Sequence, residues 1–116
     1  SMIAVSESFA MAEKLGLSAQ NLFDITSSSS SQCWAMTSYL PVPGPVPASP
    51  ANNDYQPGFS GAMMAKDMKL ARDAAISSGQ KTELADSALQ MYERFLAEGG
   101  SSKDFSAIYN MINNSS

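Results

Sequence analysis

The chain has 116 residues, of which 44% are hydrophobic and 16% charged, and it carries a net charge of −4. That is the size of one small domain with a modest core, and the acidic balance leaves no basic patch to hold phosphates, which argues against a nucleic-acid partner. The absence of histidine excludes histidine triads, bases and metal ligands, and a single cysteine, Cys33, permits no internal disulfide and fits a reducing compartment.

Ser1-Met2 reads as a pair left by cloning, so the helical domain is expected over residues 3–116. Residues 3–15 run directly into a helix pattern with no N-cap. Ile3, Ala4, Val5, Phe9, Ala10, Met11, Ala12 and Leu15 surround the axis almost completely, as in a central or interface helix. This uncapped start suggests a helix entered in mid-length, hence a fragment. Gly16 between Leu15 and Leu17 supplies a C-cap, and Ser18 is placed to cap a second helix over about 19–28 with Leu22, Phe23 and Ile25. The serines from Ser27 to Ser31 read as a helix end leading into one or two further turns at Gln32-Cys33-Trp34-Ala35-Met36.

From Leu40 to Gly58 the chain holds all six prolines and no helical period. A stretch of that length in a compact domain is a binding loop, a cover or disordered, and Tyr39, Tyr55 and Phe59 argue for a packed loop. Pro41-Val42-Pro43-Gly44-Pro45-Val46-Pro47 also matches, weakly, a polyproline ligand.

A turn at Gly58 then opens a helix that ends near Ser78-Gly79. At about 100° per residue, Met63, Met64, Met68, Leu70, Ala71, Ala74 and Ala75 form one apolar arc. Asp67 projects near the middle of that arc, with Lys66 just outside its edge. If the arc faces the core, the carboxylate is either a buried structural ion pair or part of a functional site. Thr82 is expected to cap a fifth helix with the stripe Leu84, Ala85, Ala88, Leu89, Tyr92, Phe95 and Leu96, ending at Gly99-Gly100. Ser102 is expected to open a last helix with Phe105, Ile108, Tyr109, Met111 and Ile112, and residues 113–116 to fray. The eight methionines are spread over several helices, as in ordinary core filling. The fold class is therefore all-α, five or six helices with a long proline-rich loop. No apolar run is long enough to cross a bilayer, so no membrane partner is expected. There is no phosphate-binding glycine fingerprint, metal-spaced ligand set or nucleophile motif.

The string Met64-Ala65-Lys66-Asp67-Met68-Lys69-Leu70-Ala71 resembles the Met-Ala-Lys-Asp-Leu-x-Leu-Ala signature of the β-hydroxyacid dehydrogenases. Ser31-x-x-Trp34 through Tyr39, Pro41-Val42-Pro43-Gly44, Ala51-Asn52-Asn53 and Tyr55-Gln56-x-Gly58-Phe59 resemble its 3-hydroxyisobutyrate dehydrogenase branch, as do Glu7, Lys14-Leu15-Gly16-Leu17 and Lys103-Asp104-Phe105-Ser106. The resemblance covers residues 3–112 and is most specific from Trp34 to Lys66.

The resemblance implies a C-terminal helical domain, covering substrate and cofactor and forming the dimer contact. The family's N-terminal Rossmann domain, with its glycine-rich loop, is not in this sequence. Nor are the catalytic lysine and the asparagine four residues after it, so no residue here is assigned the catalytic acid/base role. Lys66 matches the family's second lysine, which contacts the dinucleotide near its nicotinamide end, and Phe59 lies beside the cofactor–substrate junction. Trp34 and Tyr39 match positions lining the substrate pocket, with Asp67 next to Lys66. Asp54, where asparagine is commoner, and Pro57, where glycine is, depart from the pattern.

The function so implied is interconversion of 3-hydroxyisobutyrate and methylmalonate semialdehyde by hydride transfer with NAD, as in valine breakdown, with NADP left open. The expected partners are a small hydroxy acid, the Rossmann domain and a second copy in a homodimer or higher oligomer. The expected location is the cytoplasm, or the mitochondrial matrix in a eukaryote. Two alternatives stand beside it: a sister enzyme acting on tartronate semialdehyde, and a non-catalytic helical interaction module.

Overall fold

A computed structural model describes residues 1–114. Six α-helices are present: α1 (Met2–Lys14), α2 (Ala19–Thr26), α3 (Trp34–Thr37), α4 (Gly61–Ser78), α5 (Glu83–Phe95) and α6 (Ile108–Asn114). Among the described residues the only extended pairing is a single antiparallel bridge between Ser60 and Asp104, so the all-α expectation holds. Where length suggests one core, the chain forms two compact units. Among the described residues one comprises 1–56 with 106–114, the other 57–105.

In the first unit α6 lies along α1, and α2 and α3 pack on α1 as well. Met2, Val5, Phe9, Ala10 and Ala12 of α1 are buried, as are Leu40 and Ile108. Met2 is already helical, so α1 begins one residue before the helix pattern read from the sequence. The apolar circumference of α1 is not wholly used: Ala4, Ser8, Met11 and Leu15 share one exposed face, with Met11 61% and Leu15 78% accessible. Gly16, at φ 83°, ends the helix as expected. Its N–H reaches the Glu13 carbonyl (3.0 Å) while Leu17 N–H reaches that of Ala12 (2.9 Å), a Schellman closure that needs the left-handed backbone. Ser18 caps α2 by accepting from Asn21 N–H at 3.1 Å.

The proline-rich segment is a packed loop. Pro41 is fully buried, Tyr55 donates its hydroxyl to the Pro41 carbonyl at 2.6 Å, and Asn52 accepts from Gly44 N–H and donates to the Val46 carbonyl. A segment fastened at its first proline and tied through Gly44 and Val46 is not a free polyproline ligand. At the far end, Asn113 and Asn114 belong to α6 instead of fraying. The Asn113 carbonyl accepts from Lys14 Nζ (3.1 Å), and its amide and the Tyr109 hydroxyl both donate to Glu13 Oε2. Ser115 and Ser116 lie outside the described residues.

The second unit is built on α4 against α5. The buried stripe of α5 is Leu89, Tyr92 and Phe95, while Leu84, expected in it, is 89% exposed in the first turn. Thr82 occupies the N-cap position but its side chain makes no capping bond. Close approach is set by glycine: a Cβ on Gly61 would lie 2.6 Å from the Gly100 carbonyl and 2.7 Å from the Phe95 ring. The last helix starts later than Ser102, with a 3-10 turn at Phe105–Ala107 before α6, because residues 101–104 pair with the start of α4.

Three tyrosines have phenols held above their ordinary range. Burial raises Tyr55 to about 12, partly offset by a hydrogen bond with Asn110. Burial also raises Tyr92, with Asp104 adding to it, and Tyr109, with Glu13 adding to it. Each phenol keeps its proton more tightly when folded, so its contribution to stability is full below the unfolded tyrosine value and declines as pH rises. For Tyr55 the decline falls between 10.0 and about 12. Alkaline titration should therefore show tyrosinate absorbance and loss of helical circular dichroism appearing together above about pH 11. Full ionisation of all four tyrosines with helicity intact would contradict this burial.

Candidate cofactor and substrate site

The aromatic pair belongs to the first unit. Trp34 opens α3, a single turn anchored by buried Ala35 and Met36, with Thr26 Oγ1 donating to Met36 Sδ at 3.2 Å. The anchors leave the indole outward: Trp34 is 60% exposed. Its ring stacks on half-buried Tyr39, centroids 5.0 Å apart and planes inclined by 22°. The two rings form an apolar platform, and an offset stack of this kind contributes about 1 kcal/mol beyond area burial. Cys33 is half-buried and free.

Phe59, Lys66 and Asp67 belong to the second unit, and here the sequence reading needs a correction. Asp67 does not aim into the core; it is exposed, as is Lys66. The packed face of α4 runs through Gly61, Met64, Ala65, Met68, Arg72 and Ala75, roughly a quarter turn away from the centre of the apolar arc. Small side chains decide this. Gly61 and Ala65 allow α4 to approach the Phe95–Gly100 region closely, and that contact outweighs the larger but misplaced Met63 and Leu70. These two stay 53% and 59% exposed. The result is a strip of Met63, Leu70 and Ala74 with Lys66 and Asp67 beside it, uncovered within its own unit. Neither charged side chain takes a hydrogen bond or ion pair among the described residues, and the unit's ion pairs are Arg72–Asp73 and Arg94–Glu98. The buried-ion-pair reading of Asp67 is thereby removed.

The buried carboxylate is Asp104, which sequence reasoning did not single out. It is fully buried, and its Oδ1 accepts from Gly58 N–H at 3.0 Å and Phe59 N–H at 3.1 Å. Phe105 N–H donates to the Phe59 carbonyl at 2.7 Å, and the two rings meet edge to face at 5.7 Å. The signal was thin. An aspartate after Ser-Ser-Lys and before an aromatic reads as an exposed helix cap, and only tertiary pairing reveals the buried acceptor.

The same pairing settles what the start of α4 can bind. Gly61 N–H donates to the Lys103 carbonyl (2.8 Å) and Ala62 N–H to that of Ser101 (3.2 Å), while Met63 N–H donates to Ser60 Oγ (3.2 Å). The amides that a helix normally offers to an anion are occupied by the protein itself. Lys66 is then the cation this helix presents outward in its first two turns, with Asp67 beside it. Among the described residues no cluster of metal-ligating side chains occurs.

A family model described as the NAD-binding domain of NADP-dependent 3-hydroxyisobutyrate dehydrogenase matches residues 1–112. The chain belongs to that family. It is 49% identical over 110 residues to a probable 3-hydroxyisobutyrate dehydrogenase of Mycobacterium tuberculosis, covering 95% of this chain and 37% of that protein. It is 42% identical over 113 residues to a probable mitochondrial 3-hydroxyisobutyrate dehydrogenase of Dictyostelium discoideum, covering 97% and 35%. A solved structure of the Mycobacterium tuberculosis enzyme with L-serine superposes with a TM-score of 0.92 at 49% identity, covering 96% of this chain and 38% of that one. A 3-hydroxyisobutyrate dehydrogenase from Salmonella typhimurium shares the fold, with a TM-score of 0.76 at 20% identity. The chain thus spans a little over a third of the length of the curated relatives it matches.

The geometry separates structural from functional carboxylates. Asp104→Ala should lower unfolding free energy by about 3 kcal/mol, since two bonds to a charged acceptor are lost and their donors stranded. Lys66→Ala and Asp67→Asn should each change it by less than about 0.5 kcal/mol. Urea denaturation of the three variants checks the ranking, and an equal cost at Asp67 would reinstate a buried role for it.

Proposed function

We propose that this chain is the helical domain of a dehydrogenase that interconverts 3-hydroxyisobutyrate and methylmalonate semialdehyde by hydride transfer to and from NAD or NADP. The observation that carries the proposal is the family match over residues 1–112 together with the unpartnered Lys66 on an uncovered apolar helix face. A cation without a partner beside exposed apolar surface suits the carboxamide and ribose oxygens at the nicotinamide end of a dinucleotide. Lys66 would hold that cofactor, Phe59 would border it, and Asp67 would orient Lys66 or the substrate. Trp34 and Tyr39 would exclude water around the substrate with their stacked rings. L-serine, present in the Mycobacterium tuberculosis structure, has the same hydroxymethyl group on a carbon bearing a carboxylate as 3-hydroxyisobutyrate, which supports a small 3-hydroxy acid as substrate.

Pyrophosphate binding would fall to the Rossmann domain of the complete enzyme, and the catalytic lysine would stand on the long helix that leads from it into this domain. The outer face of α1, with Ala4, Met11 and Leu15, is where a second copy would pack. No helix among the described residues is long and apolar enough to cross a membrane. We place the enzyme in the cytoplasm, or in the mitochondrial matrix of a eukaryote. The mitochondrial names of the Dictyostelium discoideum and Arabidopsis thaliana relatives support the latter.

Residues 1–116 alone should turn over no 3-hydroxyisobutyrate, whereas the chain joined to its Rossmann domain should reduce NAD with that substrate. In the joined protein Lys66→Ala should raise KM for the cofactor about tenfold, a loss of roughly 1.4 kcal/mol of binding, with the melting temperature unchanged. Turnover by the isolated chain, or an unaltered KM in Lys66→Ala, would refute the assignment. Sedimentation equilibrium should show self-association of the joined protein that Met11→Glu weakens, and a monomer at high micromolar concentration would count against the dimer.

A further inference from the structure

We propose that Asp104 is a positioning residue for the dinucleotide: its buried carboxylate fixes the backbone of Gly58 and Phe59 and, through it, the start of the helix that carries Lys66. The inference rests on the assignment of Phe59 and Lys66 to the cofactor made above, and adds a residue that reaches neither cofactor nor substrate.

A carboxylate with no solvent access is costly unless its oxygens are bonded, and here one oxygen serves two consecutive amides. Two donors converging on one acceptor fix the peptide plane between them, and with it the direction in which the Phe59 side chain leaves the backbone. Phe59 is half-buried, leaning on Phe105 through one edge, so the carboxylate and one ring contact together define its place. The next residue, Ser60, bridges to Asp104 and caps α4, and the first two amides of α4 bond to Lys103 and Ser101. Lys66 follows in the second turn. A segment held at the amides of Gly58, Phe59, Gly61, Ala62 and Met63 has little freedom to rotate α4 about its axis, and that rotation decides whether the Lys66 ammonium points along the exposed strip or away from it. Misplacement of a binding group by about 1 Å costs up to roughly 100-fold in rate, so a clamp of this kind would be felt in function.

Asp104→Asn keeps the volume and one oxygen acceptor but removes the charge that strengthens both bonds. In the isolated chain, hydrogen exchange of the Gly58 and Phe59 amides should accelerate at least about tenfold while the amides of α5 around Leu89 and Tyr92 keep their rates. In the protein joined to its Rossmann domain, KM for NAD should rise about tenfold with kcat within about twofold of the parent, the pattern of lost cofactor binding. Unchanged exchange at Gly58 and Phe59 would overturn the clamp. Accelerated exchange with unchanged KM would leave Asp104 a purely structural residue and overturn the positioning role. If Asp104→Asn does not fold, Phe105→Leu keeps the carboxylate and loosens the ring that Phe59 leans on. The same rise in KM is then expected, and its absence overturns the proposal. Loss of the parent assignment has a different signature: Lys66→Ala would leave cofactor affinity untouched while the amide exchange result stands, and the cofactor role of Asp104 would fall with it.

Discussion

Everything in the second unit is arranged around one buried negative charge. Asp104 has no solvent access, and its bonds to the Gly58 and Phe59 amides offset a desolvation cost that would otherwise keep a carboxylate at the surface. Once those amides are taken, the chain at residues 58–62 must run alongside residues 101–105. That fixes where α4 begins and brings Gly61 against Phe95 and the Gly100 carbonyl. The Tyr92 hydroxyl completes the arrangement by donating to the Phe105 carbonyl, and its phenol is raised first by burial and then by the nearby Asp104 charge. The stripe Leu89, Tyr92 and Phe95 is thus the apolar half of an arrangement whose polar half is a single carboxylate.

Both units leave apolar surface unused in ways that amphipathic helices of a finished surface do not. In α1 the exposed face holds Ala4, Met11 and Leu15; in α4 it holds Met63, Leu70 and Ala74 beside Lys66 and Asp67. Scattered exposed apolar residues are ordinary, but aligned ones at helical spacing mark faces that bind something. The two strips differ in chemistry. That of α1 is uncharged along its centre and suits another apolar helix, whereas that of α4 carries an unpaired cation and an unpaired anion and suits a ligand with polar and apolar parts.

The helices were legible because their signals are local: Gly16 and Gly79 end helices in left-handed backbone, Ser18 caps α2, and the period of α5 predicts its buried residues except Leu84. The packed nature of the proline-rich loop was legible too, since Tyr55 needed an anchor and found it at the Pro41 carbonyl. What local signals missed was the orientation of α4. Periodicity counts bulk, and by bulk the arc of methionines should face inward; contact distance is set instead by the smallest residues, Gly61 and Ala65. The same blindness hid which aspartate is buried. Asp67, on an apolar arc, looked buried and is exposed, while Asp104, in a polar loop after two serines, was not singled out and is buried. The exposure of Trp34 was not legible either, because nothing local distinguishes an outward tryptophan from a core one.

The occupied amides at the start of α4 also bear on how binding would be divided in the proposed enzyme. A helix N-terminus is a ready site for phosphate, and α4 would be a natural candidate, with Gly58 and Gly61 at its entry and a lysine in its second turn. Instead its first donors are spent on Lys103, Ser101 and Ser60. What the helix retains is a single ammonium on a flexible stem, a point charge with no fixed fork of donors, next to methionine and leucine. Such a group can donate to the carboxamide or ribose oxygens at the nicotinamide end of a dinucleotide but does not supply the several converging amides of a pyrophosphate cradle. In the proposed partition the charged centre of the cofactor would be held by the glycine-loop amides of the Rossmann domain, and α4 would offer the nicotinamide end one cation and one neighbouring phenylalanine.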